Sequence, residues 1–380
     1  MRTTVKKTGR ARLAGLALVA ALASSTAIAV IPGVATAEPA GGYADLVQKV
    51  APSVVYIEVT EKAPQQMQMM QGFPFQEFSQ QFGIPMPQMP QGNDQQQSQN
   101  APAAHGVGSG FIIDSKGLIV TNNHVVDGAT AVKVTLQDGR SFDAKVIGTD
   151  PVTDVALIKV DATDPLPAVS FDSSQAIRVG DDVMAVGNPF GLGGTVTTGI
   201  ISAKARDIGS GAYDNYLQTD AAINKGNSGG PLFDDAGKVV GMNTAILSPS
   251  GGSVGIGFAV PSDVVQQVVA QLEHGGKAEH GWLGVQIQAV SPDVAAAIGL
   301  DKPEGALVAA VNPDSPAAKA GLKRGDIITA FGGTDIKQLH DLPRAVAMTA
   351  PDTATKIDVL RAGKKMELNV SVGLMAPQKA

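Results

Sequence analysis

The chain of 380 residues contains no cysteine. This absence excludes a thiol nucleophile, an iron–sulfur cluster and a structural disulfide. Aromatic residues are also rare, at 4% of the sequence, and there is a single tryptophan. The fold must therefore be held by burial without covalent cross-links, and the 44 glycines and 23 prolines favour a turn-rich β protein over a helical one.

The sequence also lacks a phosphate-binding loop. Its Gly-rich segment Gly106-Val107-Gly108-Ser109-Gly110 is followed by apolar residues, whereas a phosphate loop ends in glycine, lysine and a hydroxyl residue. We therefore expect an activity that does not depend on ATP.

The first 37 residues have the pattern of an export signal. An apolar run from Leu13 to Ile31 ends at the small-residue sequence Ala35-Thr36-Ala37, and five basic residues precede the run: Arg2, Lys6, Lys7, Arg10 and Arg12. The pattern predicts cleavage after Ala37 and an exported mature protein. The alternative is an uncleaved membrane anchor, although the many Ala, Gly, Ser and Thr residues of the run weaken it as a span.

Cleavage would make the mature protein strongly acidic. It removes five basic residues and no acidic one, which takes the formal net charge from −6 to −11. Nucleic-acid-binding proteins carry basic patches for the phosphate backbone, so we expect no nucleic-acid partner.

One Gly-rich segment surrounds a serine and reads Asn224-Lys225-Gly226-Asn227-Ser228-Gly229-Gly230-Pro231. A hydroxyl that attacks a carbonyl must stand clear of its own backbone, and nearby N–H groups must face the oxyanion that forms. Glycine at 226 permits the turn that points its N–H the same way as that of Ser228. The segment predicts Ser228 as a nucleophile, with an oxyanion hole at Gly226, Asn227 and Ser228. The alternative is a Gly-rich turn between strands.

Two upstream segments supply partners for such a serine. His124 follows an apolar strand, and Asp154 immediately precedes another one at 155–160. The chain order His124, Asp154, Ser228 is one of the orders in which the serine triad occurs. There the histidine accepts the serine proton, and the aspartate orients the imidazole and stabilises the imidazolium. Asp150 is the nearest alternative to Asp154, which is preferred because the following strand would bury it behind the histidine.

Long ungapped motifs extend this pattern along the chain, at 108–113, 121–126, 187–191, 218–224, the Ser228 segment and 255–261. With these motifs the chain resembles the HtrA (Deg) family of serine proteases from about residue 43 to about 375, most closely its periplasmic members. The resemblance implies a mainly β fold, with a chymotrypsin-like protease domain of two six-stranded β-barrels followed by one PDZ domain of α+β type. It implies no cofactor and no metal ion.

The expected organisation is a signal peptide at 1–37, a protease domain at 38–275 and a PDZ domain at 281–375. The protease domain should end in a helix from Ser262 to His274, with Ser262 as its N-cap. Residues 61–104 form an insertion rich in Gln, Met and Pro that cannot bury a core. In the family this position is a loop that reaches over a neighbouring subunit's active site, so a gating role is one expectation and a spacer loop is the other.

The segment 281–375 resembles a bacterial PDZ domain, which binds C-terminal peptides as an extra strand at a sheet edge. The resemblance assigns the peptide groove to Trp282, Leu283, Gly284, Val285, Gln286, Ile287, Leu342 and Val346. The loop before the strand would hold the peptide carboxylate, and the helix around Leu342 and Val346 would face it; the alternative for individual apolar residues is a place in the core. We expect a homotrimer, the family's basic unit, or a higher oligomer of trimers, and the single PDZ domain puts large cage assembly in doubt.

The resemblance also assigns a substrate pocket and an activation sensor. The pocket floor lies six residues before the nucleophile, at Ala222, followed by Ile223 and Asn224. No charge sits there, so we expect cleavage after small apolar residues rather than after Lys or Arg. Arg206 is expected to touch the activation loop of a neighbouring subunit; the alternative is an exposed arginine without that contact. Lys225, where many relatives have proline, lies on the activation loop.

These features predict an exported, ATP-independent serine endoprotease that degrades misfolded or damaged cell-envelope proteins in the periplasm, as part of stress response and protein quality control. Its expected partners are unfolded protein substrates and C-terminal peptides that activate it through the PDZ domain. Chaperone activity would be a second activity of the same molecule. The alternatives are a membrane-tethered stress-sensing protease that cuts one regulatory protein, and a non-catalytic PDZ scaffold, which the presence of all three triad residues disfavours.

Overall fold

The computed structural model describes residues 42–61, 104–188, 194–211, 214–224, 226–249 and 251–376. The predicted signal peptide, residues 62–103 of the predicted insertion, and Lys225 lie outside the described residues. Within the described part, no helix combines the length and the apolar character needed to cross a membrane.

Six antiparallel strands close the first barrel. They are β1 Val54–Glu61, β2 Ala104–Asp114, β3 Leu118–Thr121, β4 Ala129–Thr135, β5 Ser141–Asp150 and β6 Val155–Val160. They pair in the order β1-β2-β3-β6-β5-β4. The helix α1 (Ala44–Val50) and a 3₁₀ turn (Ala51–Ser53) precede β1, and the short helix α2 (Asn123–Val126) follows β3.

A second closed barrel repeats this plan. Its strands are β7 Asp182–Gly187, β8 Thr195–Arg206, β9 Tyr216–Thr219, β10 Pro231–Phe233, β11 Val239–Ile246 and β12 Gly257–Pro261. They pair in the order β10-β11-β12-β9-β8-β7.

Each barrel has its own aliphatic core, as expected for a chain without disulfides. Along β1, the side chains of Val55, Ile57 and Val59 are buried in the interior of the first barrel, while those of Tyr56 and Glu58 are partly exposed. This alternation is the period of two that a strand imposes on side chains. A separate cluster around Val183, Ile201 and Leu232 fills the second barrel.

The helix α3 (Ser262–Gly275) follows the second barrel and packs on β5 and β6 as well as on β11 and β12. The prediction that Ser262 caps this helix is wrong. Ser262 is the first helical residue, is fully buried, and its Oγ donates to the carbonyl of Asp172 at 2.6 Å, whereas the N-cap is Pro261. A hydroxyl at a helix start has the same sequence pattern whether it bonds its own helix or a neighbouring loop.

The remaining elements build a third unit. Its strands are β13 Gly281–Trp282, β14 Val285–Ala289, β15 Ala306–Val311, β16 Ile327–Phe331, β17 Thr334–Asp335, β18 Ala354–Arg361, β19 Lys364–Ser371 and β20 Gly373–Leu374. The main sheet runs β14-β15-β16-β18-β19, with β17 beside β16, and β13 pairs with β20. Its helices are α4 Pro292–Ile298, α5 Pro316–Lys319 and α6 Asp341–Ala347. The strand β14 therefore lies at a sheet edge, where an added strand can pair.

The two barrels confirm the predicted double six-stranded β architecture, and helices are few among the described elements. The third unit mixes helices with a sheet, as the α+β prediction requires.

The third unit contains an ion pair whose carboxylate is buried and whose arginine is partly exposed. Asp326 is 1% exposed, and its carboxylate accepts hydrogen bonds from Arg361 Nε and Nη2, both at 2.7 Å, and from the N–H of Lys323 at 2.8 Å. A pair of this kind contributes little against an apolar replacement, but removal of one partner leaves a buried charge that is not compensated.

We expect Arg361→Met to destabilise the third unit by about 3 kcal/mol, because Asp326 is left buried and unpaired. Urea unfolding followed by fluorescence measures this, since the single tryptophan, Trp282, lies in the same unit. The matched control is Arg178→Met, which removes an arginine that pairs with Asp181 while remaining 82% exposed. It should leave the Trp282 transition unchanged, and equal midpoints for the two variants would contradict the prediction.

Candidate active site

The structure brings His124 and Asp154 together in the first barrel. His124 lies on α2, and Asp154 ends the turn between β5 and β6. His124 Nδ1 lies 2.8 Å from Asp154 Oδ2, and the N–H of His124 donates to Asp154 Oδ1 at 2.9 Å. The carboxylate therefore fixes both the ring and the backbone of the histidine.

The backbone of Asp154 is held in a conformation that non-glycine residues rarely adopt, with φ +57°. Such a conformation costs on the order of 1–3 kcal/mol and persists where the surroundings determine it. Here the carbonyl of Asp154 accepts hydrogen bonds from the N–H of Asn123 at 3.1 Å and from Asn122 Nδ2 at 3.0 Å. These bonds and the two carboxylate bonds lock the aspartate turn onto the start of α2.

The partner also changes the acid–base behaviour of His124. Burial alone would lower the pKa of the imidazole, but the hydrogen bond to Asp154 and the negative charge of its carboxylate together raise that pKa above the ordinary value of 6.5. The ring is still half exposed. It can therefore take up and release a proton at the surface of the site.

Asp150, the sequence alternative to Asp154, is occupied elsewhere. Its carboxylate lies 2.9 and 3.0 Å from His280 Nε2 and accepts a hydrogen bond from Thr153 Oγ1 at 2.5 Å. Both Asp150 and His280 are buried. Asp150 thus joins the aspartate turn to the segment that leads into β13, and it does not contact His124.

The candidate nucleophile reaches the site from the second barrel. Ser228 is partly exposed, and its Oγ donates to the carbonyl of Thr244 at 3.3 Å. Thr244 Oγ1 donates in turn to Asp154 Oδ2 at 2.6 Å. In the described part of the chain no hydrogen bond joins Ser228 Oγ to His124, so Thr244 is the link between the serine and the aspartate.

Sequence reasoning missed Thr244. It lies on β11, which pairs with β10 directly after the serine segment, so a hairpin carries it back to the nucleophile. The only signal in the sequence is the polar pair Asn243-Thr244 inside an apolar strand at 239–246. Such a pair is ordinarily interpreted as part of an exposed strand face.

The predicted oxyanion segment adopts the turn that its glycines permit. Gly226 has φ +97°. The N–H of Asn227 donates to the carbonyl of Asn224 at 3.0 Å, whereas the N–H groups of Gly226 and Ser228 have no acceptor among the described residues. Two N–H groups therefore remain to meet a substrate oxygen, on either side of Asn227.

The three predicted pocket residues have different surroundings. Ala222 is partly exposed, and its carbonyl accepts a hydrogen bond from Thr197 Oγ1 at 3.0 Å. Ile223 is 1% exposed and packs in the core of the second barrel. Asn224 is exposed, and its Oδ1 accepts from the N–H of Ser253 at 3.0 Å. Ala222 and Asn224 have surface to offer a substrate, and Ile223 supports them from below.

The predicted carboxylate loop precedes the edge strand β14. Gly284 has φ +81°, and a Cβ there would lie 2.3 Å from the Cβ of Ser315, so glycine is required. The N–H groups of Leu283 and Gly284 donate to no acceptor in the described part of the chain. Gln286 and Ile287 lie on β14 itself, which has no partner strand on its outer side among the described strands.

Leu342 and Val346, assigned by sequence to the groove wall, lie in the core of the third unit with 1% and 5% exposure. Their spacing of four places both on the same face of α6, and that face packs on the sheet. The partly exposed apolar residues of this helix are Pro343 and Ala345, and Ala345 also packs against the core. The burial favours the core alternative for both residues, and their assignment to the groove wall stays a prediction.

The predicted sensor, Arg206, ends β8 and is exposed, with its Nε donating to Gln218 Oε1 at 2.8 Å. The connection that follows it contacts α6 of the third unit. His340 Nε2 lies 2.7 Å from Asp207 Oδ2, and Arg344 Nη2 donates to the carbonyl of Asp214 at 2.9 Å. The helix α6 and the residue before it thus contact the segment that follows Arg206.

Comparison with known proteins agrees with this architecture. The family model of the trypsin-like peptidase domain matches residues 108–242, and that of the PDZ domain matches residues 281–372. A curated relative, the probable periplasmic serine endoprotease DegP-like of Brucella suis biovar 1 (strain 1330), is 47% identical over 367 residues, which cover 90% of this chain and 71% of the relative.

Solved structures of similar proteins include the HtrA-type protease AlgW with tripeptide, with a TM-score of 0.71 and 38% identity over 88% of this chain and 98% of that chain. The HtrA-type protease AlgW with decapeptide gives a TM-score of 0.67 and 39% identity over 88% of this chain and 99% of that chain. The predicted fold class, with its PDZ domain, is confirmed, while the domain limits 38–275 and 281–375 stay predictions.

We expect Asp154→Asn to lower kcat by roughly 10⁴, because an amide donates to Nδ1 and leaves the imidazole in the wrong tautomer. The acid limb of kcat/KM in the unaltered protein should lie above pH 6.5, since His124 acts as a base only when neutral and its pKa is raised. Peptide hydrolysis across the pH range measures both effects. Asp150→Asn serves as the comparison and should retain far more activity; the reverse order would identify Asp150 as the orienting residue.

Proposed function

The chain belongs to the HtrA family of trypsin-like serine endoproteases, and from that premise we propose that His124, Asp154 and Ser228 are its catalytic triad. The observation that carries the proposal is the 2.8 Å contact between His124 Nδ1 and Asp154 Oδ2, which leaves the other ring nitrogen for the serine. Thr244 supports it by bonding both Asp154 and Ser228.

In this proposal, a bound substrate draws the hydroxyl of Ser228 away from the carbonyl of Thr244 and towards His124 Nε2. Such contacts are often loose without substrate and tighten in the complex. Ser228 Oγ then attacks the scissile carbonyl while His124 takes its proton and passes it to the leaving amine. Water attacks the acyl-enzyme with His124 again as base, which releases the second product and restores the serine.

The negative charge of each tetrahedral intermediate would be met by the N–H groups of Gly226 and Ser228. Removal of one such donor costs about 10²–10³ in kcat in enzymes of this type. Asn227, also predicted at the oxyanion hole, would connect the two donors, since its own N–H is bonded to Asn224.

Substrate choice would be shallow. Ala222 lines the pocket without a charge, and the buried Ile223 beneath it is aliphatic. Such a surface favours small apolar P1 residues such as Val, Ala or Ile, but each methylene changes binding by only about 1–3 kcal/mol. A broad endoprotease for unfolded chains fits such a pocket better than a protease with one target sequence.

We place the enzyme in the periplasm or cell envelope, after cleavage behind Ala37, as an ATP-independent protease of misfolded or damaged proteins. The composition of residues 1–37 supports export, and the relatives are named periplasmic endoproteases. Holding unfolded chains would be a second activity of the same molecule.

The PDZ domain would bind a C-terminal peptide along β14. The peptide would pair with Gln286 and Ile287, and its carboxylate would accept from the N–H groups of Leu283 and Gly284, which have no acceptor among the described residues. The two similar AlgW structures are complexes with a tripeptide and with a decapeptide. These complexes support peptide recognition by this chain. Trp282 and Val285 flank the carboxylate loop, and a peptide would meet α6 at Ala345 rather than at the buried Leu342 and Val346.

Peptide binding would reach the protease through the contacts of α6 with the connection after β8. The Asp214 carboxylate organises that connection by accepting hydrogen bonds from the N–H groups of Ile208 and Ser210 at 2.8 and 3.0 Å. Its carbonyl accepts from Arg344. A shift of α6 on peptide binding would therefore move the segment adjoining Arg206, which in a homotrimer would contact the neighbouring activation loop.

The protease proposal predicts degradation of casein without ATP by the mature chain from residue 38, and none by Ser228→Ala. The serine hydroxyl is the bond-forming group in the proposal, while its loss leaves the fold intact because Ser228 is partly exposed. Gel electrophoresis and mass spectrometry of the fragments measure the rate and the P1 residues. Cleavage by both proteins would identify a contaminating protease, and cuts predominantly after Lys or Arg would contradict the aliphatic pocket.

The sensor proposal predicts that Arg206→Ala lowers peptide-stimulated casein cleavage about 2- to 30-fold, the range expected for a coupling of 0.5–2 kcal/mol. Peptide affinity should stay unchanged by Trp282 fluorescence, because Arg206 does not contact the PDZ groove. Arg178→Ala removes another exposed arginine of the same region and should preserve stimulation. Full stimulation of the Arg206 variant would remove this residue from the activation circuit.

A further inference from the structure

Ser109 is a buried hydroxyl residue for which the proposed mechanism has no role. It lies on β2 of the first barrel, in the Gly-Ser-Gly segment 108–110, and its exposure is 0%. A buried hydroxyl is retained when it satisfies specific partners, since an unpaired one costs free energy. The partners of Ser109 all lie at the candidate nucleophile or next to it.

Two partners are bonded through the side chain. Ser109 Oγ donates to the carbonyl of Gly226 at 2.5 Å and accepts from the N–H of Asn188 at 2.8 Å. Both bonds cross from the first barrel to the second. Ser109 Oγ therefore connects the end of β7 with Gly226, whose N–H is a proposed oxyanion donor.

The backbone of Ser109 strengthens this connection. Its N–H donates to the carbonyl of Ser228 at 2.9 Å, and its own carbonyl accepts from Thr121 Oγ1 at 2.7 Å. A Cβ at Gly229 would lie 2.2 Å from the Ser109 carbonyl oxygen, so the serine segment passes directly over Ser109.

Gly226 needs an external restraint of this kind. It has no side chain, and its φ of +97° is one of several backbone conformations that glycine adopts at similar cost. The carbonyl of Gly226 is the group through which its position can be fixed while its N–H stays free for the substrate. Anchoring that carbonyl fixes the Gly226–Asn227 peptide, whose N–H is already bonded to the carbonyl of Asn224. It thereby holds the Cα of Gly226, the atom from which the Gly226 N–H extends into the site.

We propose that Ser109 is a positioning residue for the oxyanion hole, which holds Gly226 in place through its carbonyl so that the N–H on the other side of the Gly226 Cα meets the developing oxyanion. This inference rests on the proposed function of the Ser228 site and adds a residue to it. Ser109 touches no reacting atom, so its effect on catalysis passes through Gly226. The Ser109 hydroxyl therefore contributes most to catalysis at the step in which negative charge forms on the substrate oxygen.

The test is Ser109→Ala in the full mature chain, assayed with a peptide substrate and with a peptide aldehyde, whose hemiacetal with Ser228 places an oxygen in the oxyanion hole. Since loss of a donor outright costs about 10²–10³ in kcat, loss of its anchor should lower kcat about 10- to 100-fold. KM should change less than threefold, roughly, because ground-state binding does not depend on the oxyanion. Affinity for the aldehyde should fall by the same factor as kcat.

The matched control is Thr121→Val, which removes another buried hydroxyl bonded to the same residue but leaves the bond from Ser109 Oγ to Gly226. It should lower the urea midpoint as Ser109→Ala does, while kcat and aldehyde affinity stay close to those of the unaltered protein. A purely structural role for Ser109 would instead make both variants lose activity in proportion to stability, and that result would overturn the proposal.

A second variant covers the case in which Ser109→Ala does not fold. Ser109→Cys keeps a weaker donor at the same place and should give a kcat between those of alanine and serine. Normal kcat and aldehyde affinity in a folded Ser109 variant, beside an inactive Ser228→Ala, would refute the role of Ser109 alone. Failure of the unaltered chain to cleave with or without an added C-terminal peptide would overturn the proposed function as well.

Discussion

The proposed site depends on hydrogen bonds that cross the boundary between two separately packed barrels. His124 and Asp154 belong to the first barrel and Ser228 to the second, and each barrel has its own aliphatic core. Four bonds cross that boundary at or next to the site. They run from Thr244 Oγ1 to Asp154, from the N–H of Ser109 to the carbonyl of Ser228, from Ser109 Oγ to the carbonyl of Gly226, and from the N–H of Asn188 to Ser109 Oγ. The cores give each barrel its stability, whereas these few polar contacts set the distance between base and nucleophile.

The PDZ unit contacts both barrels at loops close to this boundary. His280 bonds Asp150, four residues before Asp154, and the helix α6 bonds the connection that follows Arg206. The first contact is buried and the second partly exposed, so the two differ in the cost of being broken. Movement of the PDZ unit would therefore be transmitted towards Asp154 and towards Arg206 by separate routes.

Local motifs carried much of the prediction from sequence. The glycines around Ser228, the polar end of the strand before His124 and the aspartate before β6 are short-range patterns, and the fold class was confirmed with them. Thr244 and Ser109 could not be found in that way, because their contacts depend on how each barrel closes and which strands pair. The wrong N-cap has the same origin, because Ser262 bonds a loop at Asp172 instead of its own helix. The spacing of Leu342 and Val346 likewise identifies a shared helix face without showing what that face packs against.

The pairing of β1 with β2 has a consequence for how this enzyme can diversify. The ladder stays in register as far as Glu61 opposite Ala104, so the chain leaves and re-enters the barrel at neighbouring positions. A change in the sequence between these two positions thus enters and leaves the barrel at one end of the β1-β2 ladder, which makes this junction the natural place to graft a new recognition element without altering the pairing of the strands.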